Sequence, residues 1–146
     1  MAVDEATIDA LVSLLPESDW VDAMRDPAYL SRSREVLAEI ATPDLEIAMV
    51  GPGGFTGTFS GAGAMDDAWQ DWLEPFESYR VEREEEFRRS GDAFVFFGRQ
   101  VVTPKGSPSP MTNDGATVAF FEDGKLKRIE FHLDRASALR AAGLEG

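Results

Sequence analysis

Residues 116–133, "ATVAFFEDGKLKRIEFHL", decide the fold of this chain because they read as two strands joined by a tight turn. Asp123-Gly124 is a strong hairpin signal, since the central residues of such a turn need a positive φ. In the second strand, Ile129, Phe131 and Leu133 share one face, and the residues between them share the other. The stretch therefore predicts a hairpin with one apolar face, against which helices should pack.

The first half of the chain carries the apolar periodicity of helices. One helix is predicted between Asp4, its cap, and Pro16, and a second from the Asp26-Pro27 cap to the "TPD" at 42–44. A third helix is predicted after Ser60 as its cap, with its acidic residues mostly in water and Pro75 at its end.

From Tyr79 onward the period changes to two, which is typical of strands. Besides the quoted hairpin, strands are predicted in "LEIAMV" (45–50), "YRVEREEEFRRS" (79–90) and "FVFFGRQVVTP" (94–104). The stretch 105–115, "KGSPSPMTNDG", is predicted to be a loop. Asp134 is predicted to cap a last short helix that Gly143 ends.

Helices thus lead and strands follow, so the predicted fold class is α+β, with N-terminal helices on one face of a strongly curved antiparallel sheet. Three helices against a bent sheet make a cone with an opening, which is a natural pocket for a ligand. A length of 146 residues without a linker predicts a single domain over 1–146.

Composition excludes several classes of partner. The net charge is −13, with 27 acidic against 14 basic residues, which disfavours nucleic acid and anionic membranes. The chain has no cysteine and one histidine, so thiolate and multi-histidine metal sites are not expected. The glycine-rich stretch 51–64 lacks the order of a phosphate-binding loop. The sequence therefore predicts no metal and no cofactor, and a soluble, cytoplasmic protein.

Three segments resemble the nuclear transport factor 2-like superfamily, and within it the SnoaL-like, polyketide cyclase-like branch. They are "FSGAGAMDDAWQDWLEPFESYRVE", "SGDAFVFFGRQ" and "FFEDGKLKRIEFHLDRASALRAAGL", and the resemblance covers about residues 57–144. It implies a cone-shaped α+β barrel, or cystatin-like roll, that usually forms a homodimer, here through the outer face of the sheet. Members of the superfamily cyclise polyketides, isomerise ketosteroids, open epoxides, dehydrate or only bind.

The chain departs from two catalytic patterns of these relatives. Phe131 stands where the resemblance places the aspartate of epoxide-opening members, and Thr117 stands near the acid of steroid-isomerising members. Two hypotheses therefore stay open, an enzyme of the cyclase, isomerase or hydrolase kind and a non-catalytic binding protein. A purely structural, partner-binding dimer is a third, weaker hypothesis.

The single histidine, His132, alternates with the apolar set of its strand. It is therefore predicted to point to the outer face of the sheet, beside Arg128 and Glu130, and not to act as the base in the pocket.

Arg99 and Glu85 are the candidate catalytic residues. A cation on an apolar strand can hold a carboxylate or polarise a carbonyl oxygen, and a carboxylate in an apolar cavity can accept a proton from carbon. A three-residue turn at "SGDA" would place Glu85 and Arg99 on one face. A two-residue turn would place Arg99 opposite the even-numbered glutamates outside. The family resemblance slightly favours an inward Arg99.

The predicted ligand is a small apolar or carbonyl-bearing organic molecule. Its pocket is predicted to be walled by Ile47, Met49, Trp69, Ala119, Phe121, Ile129, Phe131 and Leu133, with Arg99, Glu85 and Thr117 as polar features.

Overall fold

The computed structural model describes residues 5–16, 19–51, 54–61 and 63–144, and within these only the backbone at 51, 54–56, 64, 85 and 86. The helices are α1 (Glu5–Ser13), α2 (Trp20–Ala23), α3 (Pro27–Ile40), α4 (Ala64–Leu73) and α5 (Arg135–Ala141). The strands are β1 (Ala41–Gly51), β2 (Gly54–Ser60), β3 (Phe76–Ser90), β4 (Ala93–Pro104), β5 (Met111–Glu122) and β6 (Lys125–His132). None of the described helices is long and apolar enough to cross a membrane.

The described strands form one sheet in the order β2-β1-β6-β5-β4-β3. The hairpin predicted from "EDGK" joins β5 and β6, with Glu122 opposite Lys125 and φ values of 52° and 79° at Asp123 and Gly124. All neighbouring pairs are antiparallel except β1 and β6, which run parallel. The sheet is antiparallel as predicted except at this pair, because the three reversals from β3 to β6 bring β6 back in the direction of β1.

Of the four predicted helix caps, Asp26 and Asp134 are present, Ser60 is not, and Asp4 lies outside the described residues. The Asp26 carboxylate accepts a hydrogen bond from the Ala28 N–H at 3.0 Å, and the Asp134 carboxylate accepts one from the Ser137 N–H at 2.9 Å. Ser60 ends β2 and does not cap α4. Gly63 takes that position with a φ of 85° and no side-chain hydrogen bond, a backbone conformation that glycine adopts without strain.

Two segments predicted as turn or loop are strand. β1 starts at Ala41 directly after α3, and its pairing with β6 is irregular between Ala41 and Glu46. That stretch contains Pro43, which cannot donate to a strand partner and is tolerated at such irregular points. β5 begins at Met111, so residues 111–114 extend the sheet.

The core lies on both faces of the sheet. The larger cluster fills the space between the N-terminal helices, α4 and the inner face, and it includes Trp20, Trp69, Phe94, Phe121 and Ile129. A second cluster lies between α5 and the outer face, and its buried members are Ala93, Val95, Ala116, Val118, Ala138 and Ala142. α5 thus covers part of the face that was predicted to be open to solvent or to a dimer partner.

Asp19 fastens α2 to the edge strand β3. Its Oδ1 accepts from the Val21 N–H at 2.9 Å, and both carboxylate oxygens lie 3.2 Å from the Tyr79 nitrogen. The Ser78 hydroxyl also donates to this carboxylate. Because β3 is an edge strand, the carboxylate supplies an acceptor to an N–H that has no further strand beside it.

Asp19→Ala is expected to lower the free energy of unfolding by about 2–4 kcal/mol, since it removes a helix cap and a charged acceptor of part-buried donors. The matched control is Asp26→Ala, which removes a more exposed cap and should cost about 1 kcal/mol. Urea denaturation of both variants measures the difference. Equal losses in the two variants would contradict this role of Asp19.

Candidate functional site

An apolar cavity of about 40 Å³ lies between the N-terminal helices, α4 and the inner face of the sheet. A second cavity of about 40 Å³ lies next to it, toward β3, β4 and β5. The residues common to both are Leu15, Trp20, Trp69, Phe96, Thr117 and Phe131. Each cavity has room for a water molecule or two. The shared side chains divide what would otherwise be one interior space.

The dividing wall is aromatic and centred on Trp69, which is 3 % exposed. The ring of Trp69 lies 4.3 Å from that of Trp20 and 4.8 Å from that of Phe131, the latter in an edge-to-face arrangement. Tyr79 packs edge-on against Trp69 at 5.7 Å. Such aromatic pairs stabilise the packing beyond the area that they bury.

The linings are mainly apolar, with Tyr29, Ser33 and Thr117 as polar residues of the first cavity and Arg83 and Gln100 as polar residues of the second. The Tyr29 hydroxyl donates to the Leu14 carbonyl, and burial raises the pKa of Tyr29 to about 12, with Arg32 lowering it and Asp66 raising it further. The Thr117 hydroxyl makes no hydrogen bond to another described residue. The indole Nε1 of Trp20 is buried and has no hydrogen-bond partner in the described part of the chain. A buried donor without an acceptor is costly, so this N–H would gain from an acceptor that reached it.

A wide polar cleft of about 1030 Å³ opens between α1, α2, α3 and β3. Its lining includes Asp9, Asp22, Asp26, Arg32 and Arg83. It shares Val12, Leu15, Trp20 and Tyr29 with the first cavity. Those four side chains therefore separate the apolar interior from the cleft.

The structure brings together four of the predicted pocket residues, Trp69, Thr117, Ile129 and Phe131, in the wall of the first cavity. Four others, Ile47, Met49, Ala119 and Phe121, are buried in the adjoining core, at 5 % exposure or less. Leu133 is half-buried beyond the end of β6, where its N–H donates to the Val50 carbonyl.

Arg99 does not enter the cavity, and the prediction that favoured an inward side chain was wrong. The turn at Gly91-Asp92 holds two residues, so Arg99 pairs opposite Glu82. Its side chain is 57 % exposed and lies 3.6 Å from Asp114 on the neighbouring strand. Arg99 is therefore part of a solvent-exposed ion pair on the outer face.

Glu85 lies in an irregular part of β3, between Arg83 and Phe87, where the pairing with β4 gains two extra residues. Its side chain is outside the described part of the structure, so its place relative to the cavity stays a prediction.

His132 lies on the outer face, opposite to Phe131, as its alternation predicts. It is only 4 % exposed, because α5 covers it, and its ring contacts Glu130 and Ser137. The sequence did not indicate that this face would be buried.

Trp20 is the main cavity residue that the sequence analysis missed, together with Leu15, Met24 and Tyr29 around it. A usable signal was present: Asp19 precedes Trp20-Val21 as a helix cap, which predicts that the stretch is a short helix and not a polar loop.

Helices on a curved sheet around an apolar interior define the class of cone-shaped α+β proteins with a cystatin-like fold. The family model of the SnoaL-like domain matches residues 20–129. The chain therefore belongs to the SnoaL-like domain family, within the nuclear transport factor 2-like superfamily. No curated protein matches the chain.

Solved structures share this fold at low sequence identity. A protein from Jannaschia described as a SnoaL-like polyketide cyclase is 17 % identical, with 100 % of this chain and 97 % of that chain covered and a TM-score of 0.61. TerC, co-crystallised with polyporic acid, is 23 % identical, with 93 % and 96 % covered and a TM-score of 0.59. An NTF2-like protein from Burkholderia pseudomallei is 20 % identical, with 95 % and 98 % covered and a TM-score of 0.57.

Proposed function

We propose that this SnoaL-like protein binds a small, mainly apolar organic molecule that carries a hydrogen-bond acceptor such as a carbonyl oxygen. The observation that carries the proposal is the buried indole N–H of Trp20, which has no hydrogen-bond partner among the described residues, on a side chain that lines a mainly apolar cavity. A ligand carbonyl would satisfy this donor, and the rings of Trp69 and Phe131 would contact the apolar part of the ligand.

The polar chemistry of the cavity favours binding over acid–base catalysis. None of the described side chains that line the two cavities is a carboxylate or an imidazole. The Tyr29 hydroxyl, with a pKa of about 12, stays protonated near neutral pH and already donates to Leu14. Trp20 and Thr117 could polarise a carbonyl, but a proton transfer at carbon also needs a base.

The size of the cavity limits how a ligand can enter. An apolar cavity of about 150 Å³ holds benzene, whereas each cavity here is about 40 Å³. A benzene-sized ligand therefore has to displace the side chain of Trp20 or Phe131. That displacement would join the two cavities. The cleft beside Leu15 and Trp20 is the route we propose to the interior. TerC, which shares this fold, was crystallised with polyporic acid, and this supports an organic ligand for the present chain.

The proposal predicts that the chain prefers acetophenone over α-methylstyrene, which has nearly the same shape but no carbonyl oxygen. We expect a preference of about tenfold in Kd, the worth of one hydrogen bond. Trp20→Phe should remove this preference while it keeps a large ring in the wall. Quenching of tryptophan fluorescence measures both ligands, because Trp69 and Trp72 remain in the variant.

Arg99→Ala is the matched control, since its side chain lies on the outer face, and it should bind both ligands as the parent does. Absence of binding of either ligand, or equal affinity for the two in the parent protein, would overturn the proposal. Equal losses of affinity for both ligands in Trp20→Phe would assign Trp20 a packing role only.

The homodimer that the resemblance implies stays a proposal. Because α5 covers Val95 and Val118, a second copy on the outer face would have to bind beside α5, where Arg99 and Asp114 are exposed.

A further inference from the structure

Four side chains form a hydrogen-bonded chain on the outer face, away from the proposed ligand cavity. The Ser137 Oγ lies 2.8 Å from His132 Nδ1, and His132 Nε2 lies 2.8 Å from Glu130 Oε1. The other oxygen of Glu130 accepts from the Arg128 Nε at 2.8 Å. Three residues come from β6 and its strict alternation, and Ser137 comes from the first turn of α5, which Asp134 caps.

The protonation of Glu130 decides which groups of this chain donate a hydrogen bond and which accept one. Burial disfavours ionisation of Glu130, but hydrogen bonds from His132 and Arg128 hold its pKa below the usual value, so it is a carboxylate. A carboxylate only accepts, so His132 Nε2 donates to Glu130. The Ser137 hydroxyl can turn to Nδ1, which lies 2.8 Å from its oxygen, when it leaves the Asp134 carbonyl to which it donates.

This order of groups is a nucleophile, a base within hydrogen-bond reach and a carboxylate that orients the base, which is the signature of an activated serine. The three side chains differ in their exposure to solvent. His132 is 4 % and Glu130 is 6 % exposed, whereas Ser137 is only half-buried. The base is therefore held away from water while the hydroxyl stays within reach of a reagent.

We propose that Ser137 is a reactive serine that takes an acyl or phosphonyl group from small activated esters, with His132 as its base. Glu130 is a positioning residue that acts through His132. This site is independent of the ligand cavity, because it lies on the opposite face of the sheet.

In the acyl case, Ser137 Oγ forms a bond to the carbonyl carbon of the ester as its proton passes to His132 Nδ1. The bond to the leaving alcohol breaks, and the alcohol takes that proton. Water then attacks the acyl-serine, gives a proton to Nδ1, and the proton returns to Oγ as the carboxylic acid leaves. The sum is ester plus water giving alcohol plus acid.

The competing description is that the four groups only tie α5 to the sheet. In this structure the Ser137 hydroxyl donates at 2.9 Å to the Asp134 carbonyl, an acceptor within its own helix cap. A serine with that purely structural role would react no faster than any other exposed hydroxyl. The rate at which Ser137 reacts, compared with that of another exposed serine, separates the two descriptions.

The test is to incubate the full chain with a fluorophosphonate reagent and map the modified residue by peptide mass spectrometry. Labelling forms an Oγ–P bond and breaks the P–F bond, with fluoride leaving and the serine proton passing through Nδ1 to water. We expect Ser137 to be the modified residue. Ser13 is the internal control, since its exposed helical hydroxyl donates to the Ala10 carbonyl and has no imidazole beside it.

His132→Gln is expected to slow labelling roughly 100-fold, the usual worth of a general base. Glu130→Asp should retain more of the labelling rate than Glu130→Gln, because aspartate keeps the carboxylate. Glutamine keeps the length of the side chain but not its charge. A merely structural role would favour the glutamine variant.

Labelling of Ser137 in the parent chain does not depend on any variant folding. Modification of Ser13 at a rate equal to that of Ser137, or no modification of Ser137, would overturn the proposal. So would an unchanged rate in a folded His132→Gln variant.

Discussion

Replacing Trp69 by alanine is expected to lower the free energy of unfolding by about 3–5 kcal/mol, the range for removal of a buried tryptophan side chain. Trp69 is 3 % exposed and packs against the rings of Trp20, Tyr79 and Phe131. Its removal would leave a void between α4, α2 and the sheet that rigid strands cannot close. Since small domains are stable by about 5–15 kcal/mol, the variant should lose a large part of its stability.

The measurement is urea denaturation followed by circular dichroism, with Trp72→Ala as the control on the same helix. Trp72 is half-buried and only borders the main core, so its loss should be clearly smaller. If Trp69→Ala and Trp72→Ala lowered stability equally, Trp69 would not be the centre of the aromatic wall.

Stability is expected to fall between about pH 10 and about pH 12 because of two buried tyrosines. Burial raises the pKa of Tyr79 to about 12, and that of Tyr29 also to about 12, from an unperturbed 10.0. The folded state therefore holds the phenolic protons that the unfolded chain releases above about pH 10. The contribution is fully present below the unfolded value and is lost as the pH rises through the folded value.

For Tyr79, which is 1 % exposed, a shift of two units corresponds to about 2–3 kcal/mol. Urea midpoints at about pH 9 and about pH 12 measure the loss. Tyr79→Phe removes one ionising group and keeps the ring, so the alkaline loss should shrink by about that amount. An identical alkaline loss in the parent and in Tyr79→Phe would show that this hydroxyl does not titrate differently on unfolding.

The hairpin of β5 and β6 could be predicted from the sequence because its information is local. Asp123-Gly124 supplies the two positive φ values, and strict alternation puts Phe131 and His132 on opposite faces. The helix caps at Asp26 and Asp134 are local in the same sense, since each side chain bonds to an N–H two or three residues away.

Arg99 shows where local information ends. In "FVFFGRQ", residues on both faces of β4 are apolar, because the main core covers one face and α5 covers the other. Periodicity cannot say which face is inside when both are buried. The side of Arg99 was decided by the two-residue turn and by the irregular pairing between Arg83 and Phe87.

Trp20 shows the same limit from the other direction. Its neighbourhood is polar in sequence. The Asp19 carboxylate, however, accepts a hydrogen bond from the Tyr79 N–H of β3, and this contact holds α2 against that strand. That contact joins residues 60 positions apart, so no window of sequence contains it.

By itself the sequence determined the hairpin, the inner apolar face of β6, two helix caps and the membership of an α+β class, because turns, alternation and capping act over a few residues. Only the tertiary structure decided that Arg99 is outside, that Trp20 lines the cavity, and that α5 buries His132 beside Ser137. Those features depend on strand register and on packing between distant segments, and both are set by the closing of the whole core.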